Sequence, residues 1–123
     1  MKRRLVPLLA GLVLLFGAAS ALAARADLVA VKDLLAQPDK WHGRPVVASG
    51  VVSRLDARTS QRGNTYYTFV LTDGVASVKV FSYGVPQIKD TSRVQVEGTY
   101  LKVNRVGNST FHNQVNARRI TIP

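Results

Sequence analysis

Between Thr65 and Phe81 apolar and polar positions alternate with a period of two, broken once by Asp73-Gly74. Tyr67, Phe69 and Leu71 fall on one side of an extended chain and Tyr66, Thr68, Val70 and Thr72 on the other; beyond the turn, Val78 and Val80 alternate with Ser77, Lys79 and Phe81. The pattern predicts a β-hairpin with strands over 65–72 and 76–82, one face in a core and the other displaying aromatics beside a lysine. Upstream, Val46 to Leu55 reads as a long strand. Gly50 lies inside it, and a glycine in mid-strand marks a bulge or tight bend of the kind that closes a small barrel. Downstream, Ser92 to Lys102 carries Val94 and Val96 on one face with Gly98 and Tyr100 beyond, and Thr110 to Ile122 supplies a last strand. The segments 56–64, 83–90 and 103–109 are polar or turn-forming and read as loops. Ahead of the strands, apolar residues at 28, 31, 34 and 35, with Asp27 as N-cap and Pro38 as terminator, predict a short amphipathic helix from Leu28 to Gln37. A turn-rich stretch to Pro45 follows, where Trp41 caps the edge of the core. The fold class this predicts is all-β, five strands after one short amino-terminal helix.

The first residues follow a different logic. Met1-Lys2-Arg3-Arg4 is a basic start, Leu5 to Phe16 an apolar run, and Ala21-Leu22-Ala23 a small-residue cleavage site, the order of a secretory signal peptide over residues 1–23. Ala24-Arg25-Ala26 offers a second site, with cleavage before Asp27. The alternative is a retained anchor, since Leu5 to Ala24 is just long enough to cross a bilayer, although Pro7, Gly11 and Gly17 interrupt it. On either reading the remainder lies outside the cytoplasm, periplasmic or secreted. After cleavage no stable membrane insertion is expected.

Composition narrows the chemistry. The chain of 123 residues has no cysteine, so burial alone must hold one modest domain, and thiol catalysis, thiolate metal sites and bacterial lipid anchoring are excluded. Its formal charge of +10 falls to about +7 when Lys2, Arg3 and Arg4 leave with the signal. An anionic partner fits that balance, as does a basic surface serving solubility.

Residues 46–54 (Val-Val-Ala-Ser-Gly-Val-Val-Ser-Arg), 67–74 (Tyr-Thr-Phe-Val-Leu-Thr-Asp-Gly), 78–81 (Val-Lys-Val-Phe) and 93–100 (Arg-Val-Gln-Val-Glu-Gly-Thr-Tyr) resemble, in that order, the oligonucleotide/oligosaccharide-binding (OB) domains of the anticodon-binding and helicase type. The chain is similar to small bacterial exported proteins carrying one such domain. The resemblance spans residues 44 to 121. It implies a five-stranded Greek-key OB-fold barrel over 44–123, with residues 24–43 forming the helix and the turn that leads into it. It also implies that the outward residues of the hairpin stack on and hydrogen-bond to unpaired bases. Thr68 falls where those relatives place a stacking aromatic, and Lys79 where they place a base-reading polar residue. Thr68 departs from the pattern; Tyr66 and Phe81 share its face and can stack in its place.

Single-strand binding needs cations along the phosphates and flat π-faces for bases, each stacked base being worth about 1–3 kcal/mol. Tyr66, Phe81 and Lys79 supply both. The flanking loops of the plan carry Arg54, Arg58 and Arg62 on one side and Lys102 and Arg105 on the other. Solvated loops, and outward aromatics packed on a loop or the amino-terminal helix, are the competing explanation. For catalysis, Asp33, Asp39, Asp56, Asp73, Asp90 and Glu97 form no shared motif. His42 and His112 are too isolated for a metal site. Phe111-His112-Asn113 does not reproduce the haem-handling motif of periplasmic OB proteins, so no cofactor is expected. The sequence therefore reads as a non-catalytic exported module for single-stranded nucleic acid or another polyanion. The alternative is a stress-type periplasmic module for ions, small ligands or a protein partner. A third class is an accessory subunit docking through the hairpin face.

Overall fold

The structure, a computed structural model, describes residues 26–123. The basic start, the apolar run and the cleavage site after Ala23 lie outside the described residues. The chain opens in extended form. Strand β1 (Asp27–Leu28) runs parallel to β2 (Pro45–Thr59), with Asp27 opposite Val46, and the Val29 N–H donates to the Val47 carbonyl at 2.9 Å. Helix begins only at Val31. The predicted ten-residue helix is thus replaced by β1, by α1 (Val31–Ala36) and by α2 (Pro38–Trp41), and Ala30 rather than Asp27 occupies the N-cap. The cause is the open edge of β2, which takes up the backbone of residues 27–29 and leaves Leu28 77% exposed. Pro38 starts α2 instead of ending α1, because proline's fixed φ and missing N–H cost nothing in a first helical turn. Trp41 is half-buried against the core, with Lys40 Nζ 4.8 Å from its ring centroid.

Four further strands complete the sheet: β3 (Thr65–Thr72), β4 (Ser77–Tyr83), β5 (Arg93–Val106) and β6 (Ser109–Thr121). They run in the order β2-β3-β4-β6-β5, and β2 pairs again with β5, so five strands close a ring to which β1 is added. Within the ring β4–β6 is parallel and every other pair antiparallel. The interior follows the alternation. Phe69 faces Val80, Val80 faces Val115, Val52 faces Leu71 and Ala48 faces Val96, and all are buried together with Tyr67, Val78, Val94 and Tyr100. Val31 and Leu34 of α1 are fully buried in the same cluster.

Ring closure depends on β2 serving two partners, β5 through residues 45–51 and β3 through residues 51–59. At the crossover a Cβ on Gly50 would overlap the Thr72 carbonyl oxygen and sit 3.1 Å from Leu71 Cδ1. Gly50 is therefore required by close approach of β3. Of the bulge or tight bend expected at Gly50, the bulge lies further on, between Ser53 and Asp56, where Arg54 has a φ of 55°. The extra residue reverses the alternation. Val52 points into the barrel, whereas Asp56 and Arg58 stand on the outer side opposite Thr68 and Tyr66.

Two predicted loops are partly or largely strand. β2 continues through Thr59, leaving a short turn over 60–64, and the β5–β6 hairpin continues to Val106 and Ser109 around Gly107-Asn108. Gly107 has a φ of 60°, as the first position of a tight hairpin turn demands. Polar residues extend these strands because the backbone ladder of each neighbour is long enough to pair with them. The barrel thereby acquires two projecting arms.

Candidate functional site

The arms turn the outer face of β3, β4 and β6 into a groove of about 590 Å³. Its floor is laid by Tyr66 and Thr68 of β3, Lys79, Phe81 and Tyr83 of β4, and Gln114 and Asn116 of β6. Asp56 and Arg58 form the wall on the β2 arm. Asn104, Val106 and Phe111 form the opposite wall, on the β5–β6 arm. The aromatic side chains are organised among themselves: Tyr66 stacks on Phe81 with centroids 5.5 Å apart and planes 29° apart, and Phe81 meets Tyr83 edge-on at 5.0 Å. Lys79 Nζ lies 5.9 Å from the Phe111 centroid, bridging floor and wall. α1 sits near the β3–β4 turn, where the Lys32 N–H donates to Asp73 Oδ2 at 3.1 Å, and it does not line the groove.

The β5–β6 arm leaves the barrel at an irregular step. Lys102 and Asn113 are skipped in the ladder, and Asn113 has a φ of 53°. The Lys102 N–H donates instead to His42 Nδ1 at 2.9 Å, and the buried Tyr100 hydroxyl donates to Asn113 Oδ1. Burial, with a smaller push from Asp39, raises the Tyr100 hydroxyl above its ordinary range. This step reverses the alternation in β6, which is how Phe111 and Gln114 both reach the groove.

Of the residues the sequence singled out, Tyr66, Thr68, Lys79, Phe81 and Arg58 come together in the groove. Arg58 is ion-paired: its Nε donates to Asp56 Oδ2 at 2.9 Å, which holds its guanidinium above its ordinary value. The other cations fall elsewhere. Arg54 is the exposed bulge residue and Arg62 lies in the turn beyond β2. Lys102 Nζ binds Asp39 Oδ1 at 2.7 Å, a bond that lowers the Asp39 carboxyl below its usual range. Arg105 alternates with Asn104 and Val106 and pairs with Thr110, so it does not line the groove. The sequence reading missed Asp56, Tyr83, Asn104, Val106, Phe111, Gln114 and Asn116. The aromatic character of Tyr83 and Phe111 was a usable signal; the amides gave none before the strand order was known. Among the described residues no His, Asp and Glu cluster could hold a metal ion, and no helix is long and apolar enough to cross a membrane.

No family model matches the chain and no curated protein matches it. Among solved structures it is similar to a chain from Leishmania major Friedlin assigned as an aspartyl-tRNA synthetase, with a TM-score of 0.55 and 23% identity over 79% of this chain. It spans 20% of that chain. It is also similar to the OB domain of Ta0387 from Thermoplasma acidophilum, with a TM-score of 0.52 and 20% identity, covering 80% of this chain and 88% of that one. The closed five-strand ring, its strand order and this likeness define an OB fold.

Proposed function

We propose that this protein is a non-catalytic OB module that binds single-stranded nucleic acid, or a similar anionic polymer, in the groove, and that it works outside the cytoplasm. One observation carries the reading: the run Tyr66–Phe81–Tyr83 lies beside Lys79 on a groove floor between two arms. Flat rings accept bases and the ammonium accepts phosphate. Likeness in fold to part of a protein named for a tRNA supports it. The basic start, apolar run and Ala-Leu-Ala site support export.

A second reading rests on the charge count inside the groove. Asp56 neutralises Arg58, leaving Lys79 as the unpaired cation among the lining residues, and the volume suits a small molecule. A nucleotide-sized ligand is then the alternative to a polymer. Anisotropy titrations of the purified protein with oligonucleotides of increasing length and with mononucleotides, at two salt concentrations, separate the two. Under the polymer reading affinity rises with length and falls with salt, and Lys79→Ala flattens the logarithmic salt slope by about 0.7. Tyr66→Ala or Phe81→Ala weakens binding by about 1–3 kcal/mol at either salt, because stacking is not screened. Absence of any oligonucleotide binding at low ionic strength overturns the proposal, and affinity that is already complete with a mononucleotide establishes the second reading.

A further inference from the structure

The bottom of the groove holds a polar side chain whose burial barrel closure does not require. Gln114 is 5% exposed and is the one buried polar residue among the described residues. Its backbone neighbours are Lys79 in β4 and Leu101 in β5, so strand pairing is complete without its amide. An aliphatic side chain would fill the place without the cost of removing an amide from water. The amide is instead held in position: Gln114 Nε2 donates to Asn116 Oδ1 at 2.7 Å. Each amide carries two N–H donors and a carbonyl with two lone pairs. The mutual bond uses one donor of Gln114 and one lone pair of Asn116. Among the described residues no other side-chain hydrogen bond takes up the Gln114 carbonyl or the Asn116 N–H groups, and both residues line the groove beside the Tyr66–Phe81 stack. Asn104 adds a third amide from the arm.

These groups bear no charge, so they add little to the hold on a phosphate. They offer fixed donors and an acceptor next to a flat aromatic surface, the complement of a heterocycle edge. We infer that the Gln114–Asn116 pair reads the hydrogen-bonding edge of an unpaired base seated against Tyr66 and Phe81, so that the groove selects among base sequences. The inference rests on the proposed function and deepens it. Stacking alone tolerates every base, since every base has a π-face. A matched pair of hydrogen bonds to a base edge does not, because the wrong base leaves a buried donor or acceptor unpaired.

The test is a titration of the purified protein with oligo-dA, oligo-dC and oligo-dT of equal length, repeated with Asn116→Ala and Gln114→Leu. Thermal melting of each variant confirms that it is folded. The expected result is a spread of about tenfold or more between the best and worst homopolymer for the wild type, narrowing several-fold in either folded variant. Asn116→Asp, which replaces donors by acceptors, should reorder the three ligands. The half-buried position of Asn116 keeps the test available should Gln114→Leu fail to fold. Equal affinities for the three homopolymers, or a spread that survives in Asn116→Ala, overturns base reading while leaving the proposed function standing. Absence of binding to all three removes both.

Discussion

Gly50 and Val80 sustain the barrel by opposite means, one by what its side chain lacks and the other by what it fills. A methyl group on Gly50 meets the Thr72 backbone, which cannot swing aside as a flexible side chain would, so Gly50→Ala must displace β3. A loss of about 1–3 kcal/mol, the usual cost of overpacking, is expected in urea unfolding. Val80 is fully buried between Phe69 and Val115. Val80→Asp places an unpaired charge there at a cost of several kcal/mol, comparable with the stability of a whole domain, and should abolish cooperative melting. An unchanged melt in either variant would contradict the packing described. Lys79→Ala, one residue away on the outer face, should leave the melt almost unmoved.

At the scale of elements, the Asp73 turn ties the β3–β4 hairpin to α1. Asp73 Oδ1 accepts from the N–H groups of Ala76 and Val75, both at 2.8 Å, and Oδ2 from Lys32, and these bonds hold its carboxyl below the ordinary 3.8. A depressed carboxylate stabilises the fold fully above its unfolded value and ceases to do so as pH falls through the folded one. Asp73→Ala should therefore melt at a lower temperature than wild type at pH 7, and the gap should shrink progressively as pH falls below about 4. A gap independent of pH would contradict a role for the charge. This hairpin was legible in the sequence because its two strands alternate cleanly on either side of Asp73-Gly74. The arms were not. Asp56 to Thr59 and Val103 to Val106 are exposed or half-buried, so their extended form comes from partners distant in sequence, not from any apolar period of their own. The site shows the same division. Tyr66, Lys79 and Phe81 share a parity that the hairpin fixes, and Gln114 takes its side from the distant β4–β6 pairing, whereas Asp56 and Phe111 are aimed by the irregular backbone at Arg54 and Asn113, non-glycine residues in left-handed conformation that no composition rule marks.

For the whole molecule, the export proposal and the fold make compatible demands. Amino-terminal sequencing of protein recovered outside the cytoplasm should find Ala24 first, or Asp27 if the second site is used; an intact Met1 in the membrane fraction would favour the retained anchor. Without cysteine, the domain must then hold together by its packed barrel alone. The parallel pairing of β4 with β6 bears on how that barrel comes into being. Because β6 stands between β4 and β5, joining Lys79 to Gln114 and Tyr100 to Val115, the earlier strands can form a curved sheet but not a ring until the last strand arrives. Such distant pairings must meet their loop-closure cost before they yield contacts, which slows folding. A polypeptide synthesised from its amino terminus therefore cannot close its barrel until its final strand is complete, and under the export proposal that delay keeps the ring open for as long as the last strand is missing.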